Sequence, residues 1–359
     1  MPVKHSLAYR SQTENLVVKV STDNGVSGYG EGIAREYVTG ETVEGSLRFL
    51  RDYLLPRISA VKTSDPPELM QNLAGLVTPE KRAQAPAACC ALELAILDAA
   101  GKSWGQSVAE LFGGVRQPLV YSAVIPMLPR DDFEQFLYQV RDFEMGQVKL
   151  KVGSDNDLEA LTLARQILGD EVDLRVDANG VWGAEEAESR IAAMMAFGIS
   201  GVEQPVAKEN FQGLARVAER VSVPIIADES LCTEQDAEQL ASLGACQVFN
   251  LRLSKCGGMI TTARIHQIAR KKGIAAQLGC QVGETGILAA AGRQFAAIHK
   301  LLYLEGSYSD HLLEEDIVNE PVDFGPGGVA QHLDGPGLGV TVNEQALHRF
   351  VTMQKEILL

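Results

Sequence analysis

Several signals are scarce in this 359-residue chain, and each scarcity removes a class of protein. No two of the six cysteines (Cys89, Cys90, Cys232, Cys246, Cys256 and Cys280) form a C-x-x-C pair, which argues against zinc ribbons and thioredoxin-like redox sites. Scattered thiols in a chain this long fit a reducing compartment. Positive charge is short: 32 Lys and Arg face 47 Asp and Glu, for a net charge of −15. So acidic a chain is a poor partner for nucleic acid or an anionic membrane. No apolar run reaches the ~18 residues of a membrane span, and no charged-then-apolar leader opens the chain, so a cytoplasmic location is expected. The six histidines (His5, His266, His299, His311, His332 and His348) fall outside any metal-ligating pattern and read as structural or surface residues. That counts against a histidine-based metallohydrolase.

What is present is a repeat. Three segments, DLRVDAN (173–179), GVEQP (201–205) and PIIADES (224–230), are apolar runs that each end on a carboxylate. The acids Asp177, Glu203 and Asp228 stand 26 and 25 residues apart, about the length of a strand, a helix and two loops in a right-handed parallel unit. Adjacent strands lie ~4.8 Å apart, so acids at equivalent strand ends can converge on one ion. Three hard oxygen donors without thiol or imidazole suit Mg²⁺. The same beat places Lys149 and Lys151 upstream, on one strand face, and Lys255 downstream.

Strands are expected over 118–126, 147–152, 172–177, 200–204, 223–228, 246–255, 273–279 and 301–305, with helices between them. That is an α/β fold, a β/α barrel whose active site sits at the C-terminal strand ends. Residues 1–32 read as a β-meander turning at Asp23-Asn24-Gly25. The glycines of GYGEG there read as a strand end and a turn, because the spacing of a phosphate loop is missing. Residues 36–45 read as a loop into a helix capped by Thr39 or Thr42. Three regions are expected: a capping α+β domain over 1–117, the barrel over 118–320, and a C-terminal segment, 321–359, that returns to the cap.

These residues suit removal of a proton next to a carboxylate. A metal polarises the substrate carboxylate and stabilises the resulting enediolate. The base is a lysine whose amine is tuned by a neighbouring ammonium, by burial and by the metal. Lys151 on one side of the acids and Lys255 on the other would allow proton transfer across one carbon. A leaving group or internal acceptor would turn the same step into elimination or cycloisomerisation.

VKLKVG, VDAN, VEQP, ADES and NLRLSKCGG together resemble the muconate-lactonizing branch of the enolase superfamily, from GYGEG to PGLGV. The resemblance implies a modified (β/α)₇β barrel with an α+β cap built from both termini, and one Mg²⁺ ion held by Asp177, Glu203 and Asp228. It also implies an acid/base pair of Lys151 and Lys255, with Lys149 as electrostatic helper. Ene-diolate chemistry with a lysine base and Mg²⁺ is a known property of that superfamily. Asn179 and Asn250 would hydrogen-bond the ligands, Glu284 and Glu305 would stand near the site, and the loop bearing Arg35, Tyr37 and Thr39 would close it. The mandelate-racemase branch would carry a histidine near the seventh strand, and 274–286 has none.

Within the branch, EYVTGET is similar to the loop of dipeptide epimerases, which carry an Asp-x-Asp after the eighth strand. Here that place reads Tyr303-Leu304-Glu305, which weakens a dipeptide substrate. EGSYSDHLLEEDIV is similar to succinylbenzoate synthases and N-succinylamino-acid racemases. The leading expectation is a racemase or epimerase of an amino-acid derivative (a dipeptide or N-acyl amino acid), with a muconate cycloisomerase-like or succinylbenzoate synthase-like reaction as the alternative. The partner is a small carboxylate, and relatives imply a homodimer or octamer. The chain starts late against the family pattern, so a first strand is expected to be missing or the start to have been assigned late.

Overall fold

A computed structural model describes residues 3–5, 8–10, 12–58, 63 and 65–356. Two antiparallel ribbons come first: β1 (Val3–His5) with β2 (Ala8–Arg10), and β3 (Leu16–Ser21) with β4 (Ser27–Gly32). The expected meander is thus two separate ribbons among the described residues. The GYGEG glycines lie within β4 rather than at a turn. Gly28, Gly30 and Gly32 share one face of β4, which lies on the backbone of the Pro86–Trp104 helix. A Cβ on Gly30 would stand 2.0 Å from the Ala91 carbonyl oxygen, so only glycine permits this approach. That helix is apolar all round because the hairpin covers one side and barrel residues 253–272 cover the other.

Seven parallel strands run in chain order around the barrel: β5 (Ala123–Ile125), β6 (Gln147–Lys151), β7 (Asp173–Asp177), β8 (Gly201–Glu203), β9 (Ile225–Ala227), β10 (Val248–Leu251) and β11 (Ala275–Leu278). A helix follows each strand. The wall closes through residues 302–305, which form isolated bridges rather than the continuous eighth strand expected there. Leu304 bridges both Leu278 and Tyr121, Glu305 N donates to Leu278 O (2.8 Å) and Ser122 N to Leu304 O (2.7 Å). The chain then turns at Gly306, whose φ of 122° excludes most side chains.

The sixth barrel strand is also shorter than expected. It ends at Leu251, and Lys255 lies on a one-turn helix, Leu253–Cys256, instead of on the strand. This turn is held by the cap, where Ile33 N donates to Ser254 Oγ (2.8 Å), and it is ended by Gly257 at φ 83°. Thr42 caps the Val43–Phe49 helix by accepting from Gly45 N (3.1 Å), while Thr39 ends the preceding turn. The C-terminal residues touch the cap: Leu338 N donates to Asp98 (2.8 Å), which also receives Tyr29 N (2.8 Å), and Lys19 pairs with Glu344 (2.7 Å).

Candidate active site

Strand register lines up the acids. Lys151 pairs with Asp177 across β6 and β7, and Asp177 pairs with Glu203 across β7 and β8. Glu203 pairs with Ile226 of β9, and Asp228 follows just beyond that strand. All three acids are fully buried. The backbone turns sharply after two of them: Asn179 (φ 50°) and Gln204 (φ 39°) are non-glycine residues in the left-handed region, a strain that clusters at functional sites.

Each carboxylate turns to its own cation. Lys151 Nζ donates to Asp177 Oδ2 (2.5 Å) and Asn179 Oδ1 (2.9 Å). Lys149 Nζ reaches both Glu203 oxygens (3.1 Å each) and Glu305 (2.7 Å), and lies 3.4 Å from Asp177. Asp228 is met by Lys255 (2.8 Å) and by Arg252, which also lies 3.8 Å from Glu203. Among the described residues, no three acidic, histidine or cysteine side chains are gathered closely enough to cage an ion in this arrangement.

The charges are unevenly shared. Burial pushes the Asp177 carboxyl up, but Lys151 and Lys149 outweigh it and hold the group below the usual carboxylate range. Burial also works against Asp228, and Arg252 and Lys255 overcome it, leaving that carboxyl lowered. Glu203 goes the other way: burial and then the charge of Asp177 push it up to about 8, against the pull of Lys149. Burial alone would lower the Lys149 amine, but Glu203, Glu305 and Asp177 raise it. One lysine thus serves three acids, and Glu203 is the acid left short of positive charge.

The other expected residues divide. Asn250 Nδ2 donates to Glu203 (2.9 Å), and Asn179 Nδ2 donates to Glu229 (3.0 Å). Glu305 lies inside the barrel between Lys149 and Arg175, the latter at 2.9 Å. Glu284 accepts from Gln281 N (2.6 Å), and burial pushes its carboxyl up to about 8. Arg35 is drawn to the Val282 carbonyl (2.7 Å), clamping the cap onto the loop after β11. Tyr37 meets the barrel through its carbonyl, which accepts from Lys208 (3.0 Å), and Thr39 lies 3.4 Å from the Arg35 carbonyl.

Four participants were not read from the sequence. Gln277, abreast of Asn250 across β10 and β11, donates to Glu203 (2.9 Å). Gln204 accepts from Asp228 N (2.9 Å) and Ser230 N (3.1 Å), fixing the ADES turn. Arg175 and Arg252 complete the buried charge network. The Gln204 of VEQP, the Arg175 of DLRVDAN and the Arg252 of NLRLSK stood in segments already singled out for their acids and lysines, and no motif pointed to Gln277.

Two family profiles match this chain: "Mandelate racemase / muconate lactonizing enzyme, N-terminal domain" over residues 1–113 and "Enolase C-terminal domain-like" over residues 133–346. The chain belongs to the mandelate racemase/muconate lactonizing enzyme family of the enolase superfamily. It is similar to muconate cycloisomerase 1 of Pseudomonas putida, at 33% identity over 96% of this chain and 93% of that protein. It is 26% identical to the N-succinyl-L-Arg/Lys racemase of Bacillus cereus, over 96% of this chain and 92% of the relative. Among solved structures, a dipeptide epimerase from Enterococcus faecalis, complexed with Mg and the dipeptide L-Leu-L-Tyr, superposes with a TM-score of 0.83 at 26% identity. That match covers 95% of each chain. This member of the superfamily is an enzyme of a family of isomerases. None of its described helices is long and apolar enough to cross a membrane.

Proposed function

We propose that this enzyme removes the proton next to a carboxylate of a small-molecule substrate, with Lys151 as base and Mg²⁺ held by Asp177, Glu203 and Asp228. The observation that carries the reading is the place of Lys151. Its amine lies against Asp177 with 13% of the side chain exposed, at a partly open edge of an otherwise buried row of acids. The residues fit a hard divalent ion, since the three acids offer oxygen alone and Glu203 shares its lysine, Lys149, with Glu305 and Asp177. When bound, Mg²⁺ would supply Lewis-acid stabilisation of charge building on the substrate carboxylate. Asn179 holds the Lys151 amine toward the acids. Lys149, Asn250 and Gln277 fix Glu203 from three directions.

Two reaction classes share this first step. Racemisation or epimerisation of an amino-acid derivative is supported by the names of the racemase and epimerase relatives. An N-acyl amino acid suits the chain better than a dipeptide, because Glu305 is taken up by Lys149 and Arg175 and is not free to hold an ammonium. Cycloisomerisation is supported by the 33% identity to muconate cycloisomerase 1. The test of the shared step is uptake of solvent deuterium at the α-carbon in the presence of Mg²⁺. Lys151→Ala should lower it by about 10²-fold or more while the protein stays folded. Unchanged uptake in that variant would rule out Lys151 as the base.

A further inference from the structure

The row of acids has a cation at each end. Lys151 precedes Asp177, and Arg252, directly after β10, follows Asp228. Lys255 is not available for that second place. An ammonium has three hydrogens, and three acceptors close on this one: Asp228 O (2.6 Å), Asp228 Oδ1 (2.8 Å) and Asn250 O (2.9 Å). Two of these are backbone carbonyls at strand ends, and the Lys255 side chain has no exposure. Arg252 differs on each count. Its side chain keeps 11% exposure, one amino group meets Asp228 Oδ2, and its buried Nε has no partner. A buried N–H without an acceptor is uncommon and calls for an oxygen supplied from elsewhere.

We infer that Arg252, not Lys255, contacts the substrate on the side away from Lys151, so that protons move on one face of the substrate carbon only. The inference rests on Lys151 being the base. A guanidinium stays protonated at any working pH and cannot accept a proton from a carbon presented to it. The C–H bond therefore breaks toward Lys151: the proton passes to its Nζ and the electron pair enters the enediolate. The pair then takes the proton back on the same face, with retention, or it expels a group on the neighbouring carbon. A departing hydroxide takes the proton from Lys151 and leaves as water; a departing carboxylate needs none. Arg252 Nε would meet a substrate oxygen throughout, as a fixed positive charge. Cycloisomerisation and elimination fit this arrangement; racemisation, which needs a proton acceptor on each face, does not.

The first test labels the native full-length protein by reductive methylation, followed by peptide mass spectrometry. Lys151 should be labelled at least about tenfold faster than Lys255, whose labelling must wait for local unfolding. Equal rates would overturn the inference. This readout avoids Lys255→Met, which breaks a buried ion pair and can unfold the chain. The second test follows α-hydrogen exchange in D₂O with Mg²⁺, using the two enantiomers of N-succinyl-arginine as separate probes. The wild type should favour one enantiomer by about 10²-fold, and Arg252→Lys, which returns an amine to that side, should narrow the ratio. Interconversion of the enantiomers by the wild type would overturn the inference. Exchange that survives Lys151→Ala would instead remove the reading of Lys151 as base, a distinct failure.

Discussion

Two glutamates are fully buried, Glu31 in the cap hairpin and Glu203 in the barrel. Burial raises both carboxyls, Glu31 to about 7 and Glu203 to about 8. Their surroundings differ in kind. Glu31 is held by neutral donors: Asn15 (2.6 Å), Thr285 Oγ1 (2.6 Å), Thr285 N (3.1 Å) and Leu288 N (2.9 Å). It is a staple that ties the cap to the start of the Gly286–Ala296 helix. Glu203 shares its space with Asp177, Asp228, Glu305 and the cations that serve them. Burial and a raised carboxyl therefore do not separate a structural acid from one available for chemistry; the charge of the neighbours does.

The largest contrast expected is in activity. Glu203→Gln should lower α-proton exchange by about 10²–10³-fold with little change in melting temperature, because its loss relieves crowded acids as it removes a partner of Lys149. Gly30→Ala in the cap should do the reverse. A Cβ 2.0 Å from the Ala91 carbonyl oxygen forces the hairpin off its helix and should cost about 3 kcal/mol in denaturant unfolding. Mg²⁺ at about 100 times its Kd should stabilise the wild type by about 2.7 kcal/mol and give less to Glu203→Gln. An equal gain in both would break the distinction between the two glutamates.

Glu31→Gln should cost about 1–3 kcal/mol, since an amide cannot accept from all four donors, and activity per folded molecule should persist. The smallest effect is its pH dependence. The Glu31 carboxyl sits near 7 in the fold against a usual 4.5, so ionising it works against the folded state. Its contribution is complete below pH 4.5 and is lost as pH rises through about 7. The deficit of Glu31→Gln in thermal melts should therefore be widest in acid and narrow toward neutral pH.

Much of the barrel was legible because parallel units repeat at a nearly fixed length. The spacing of Lys151, Asp177 and Glu203 became cross-strand register in the fold. Two strand ends were not legible. Residues 246–255 read as one run because Leu251, Leu253 and Lys255 keep a two-residue alternation, yet the chain leaves the sheet at Arg252 and winds one turn against the cap. The turn is set by Ile33, more than two hundred residues away, which no local pattern carries. It moved Lys255 into a sealed pocket of carbonyls and left Arg252 at the strand end. The eighth strand shrank to bridges at Leu304 for a related reason, since its partners on both sides are fixed by closure of the barrel. The glycines of β4 were visible, but their cause, the backbone of the Pro86–Trp104 helix, lies in another segment.

The most direct measurement is α-deuterium uptake from D₂O by the wild type and by Lys151→Ala, with Mg²⁺, read by mass spectrometry. The panel holds dipeptides, N-succinyl and N-acyl amino acids, and the acids related to muconate and succinylbenzoate. The account predicts a gain of one mass unit on at least one of these acids with the wild type, and none with a folded Lys151→Ala. Uptake at the wild-type rate in Lys151→Ala would contradict it.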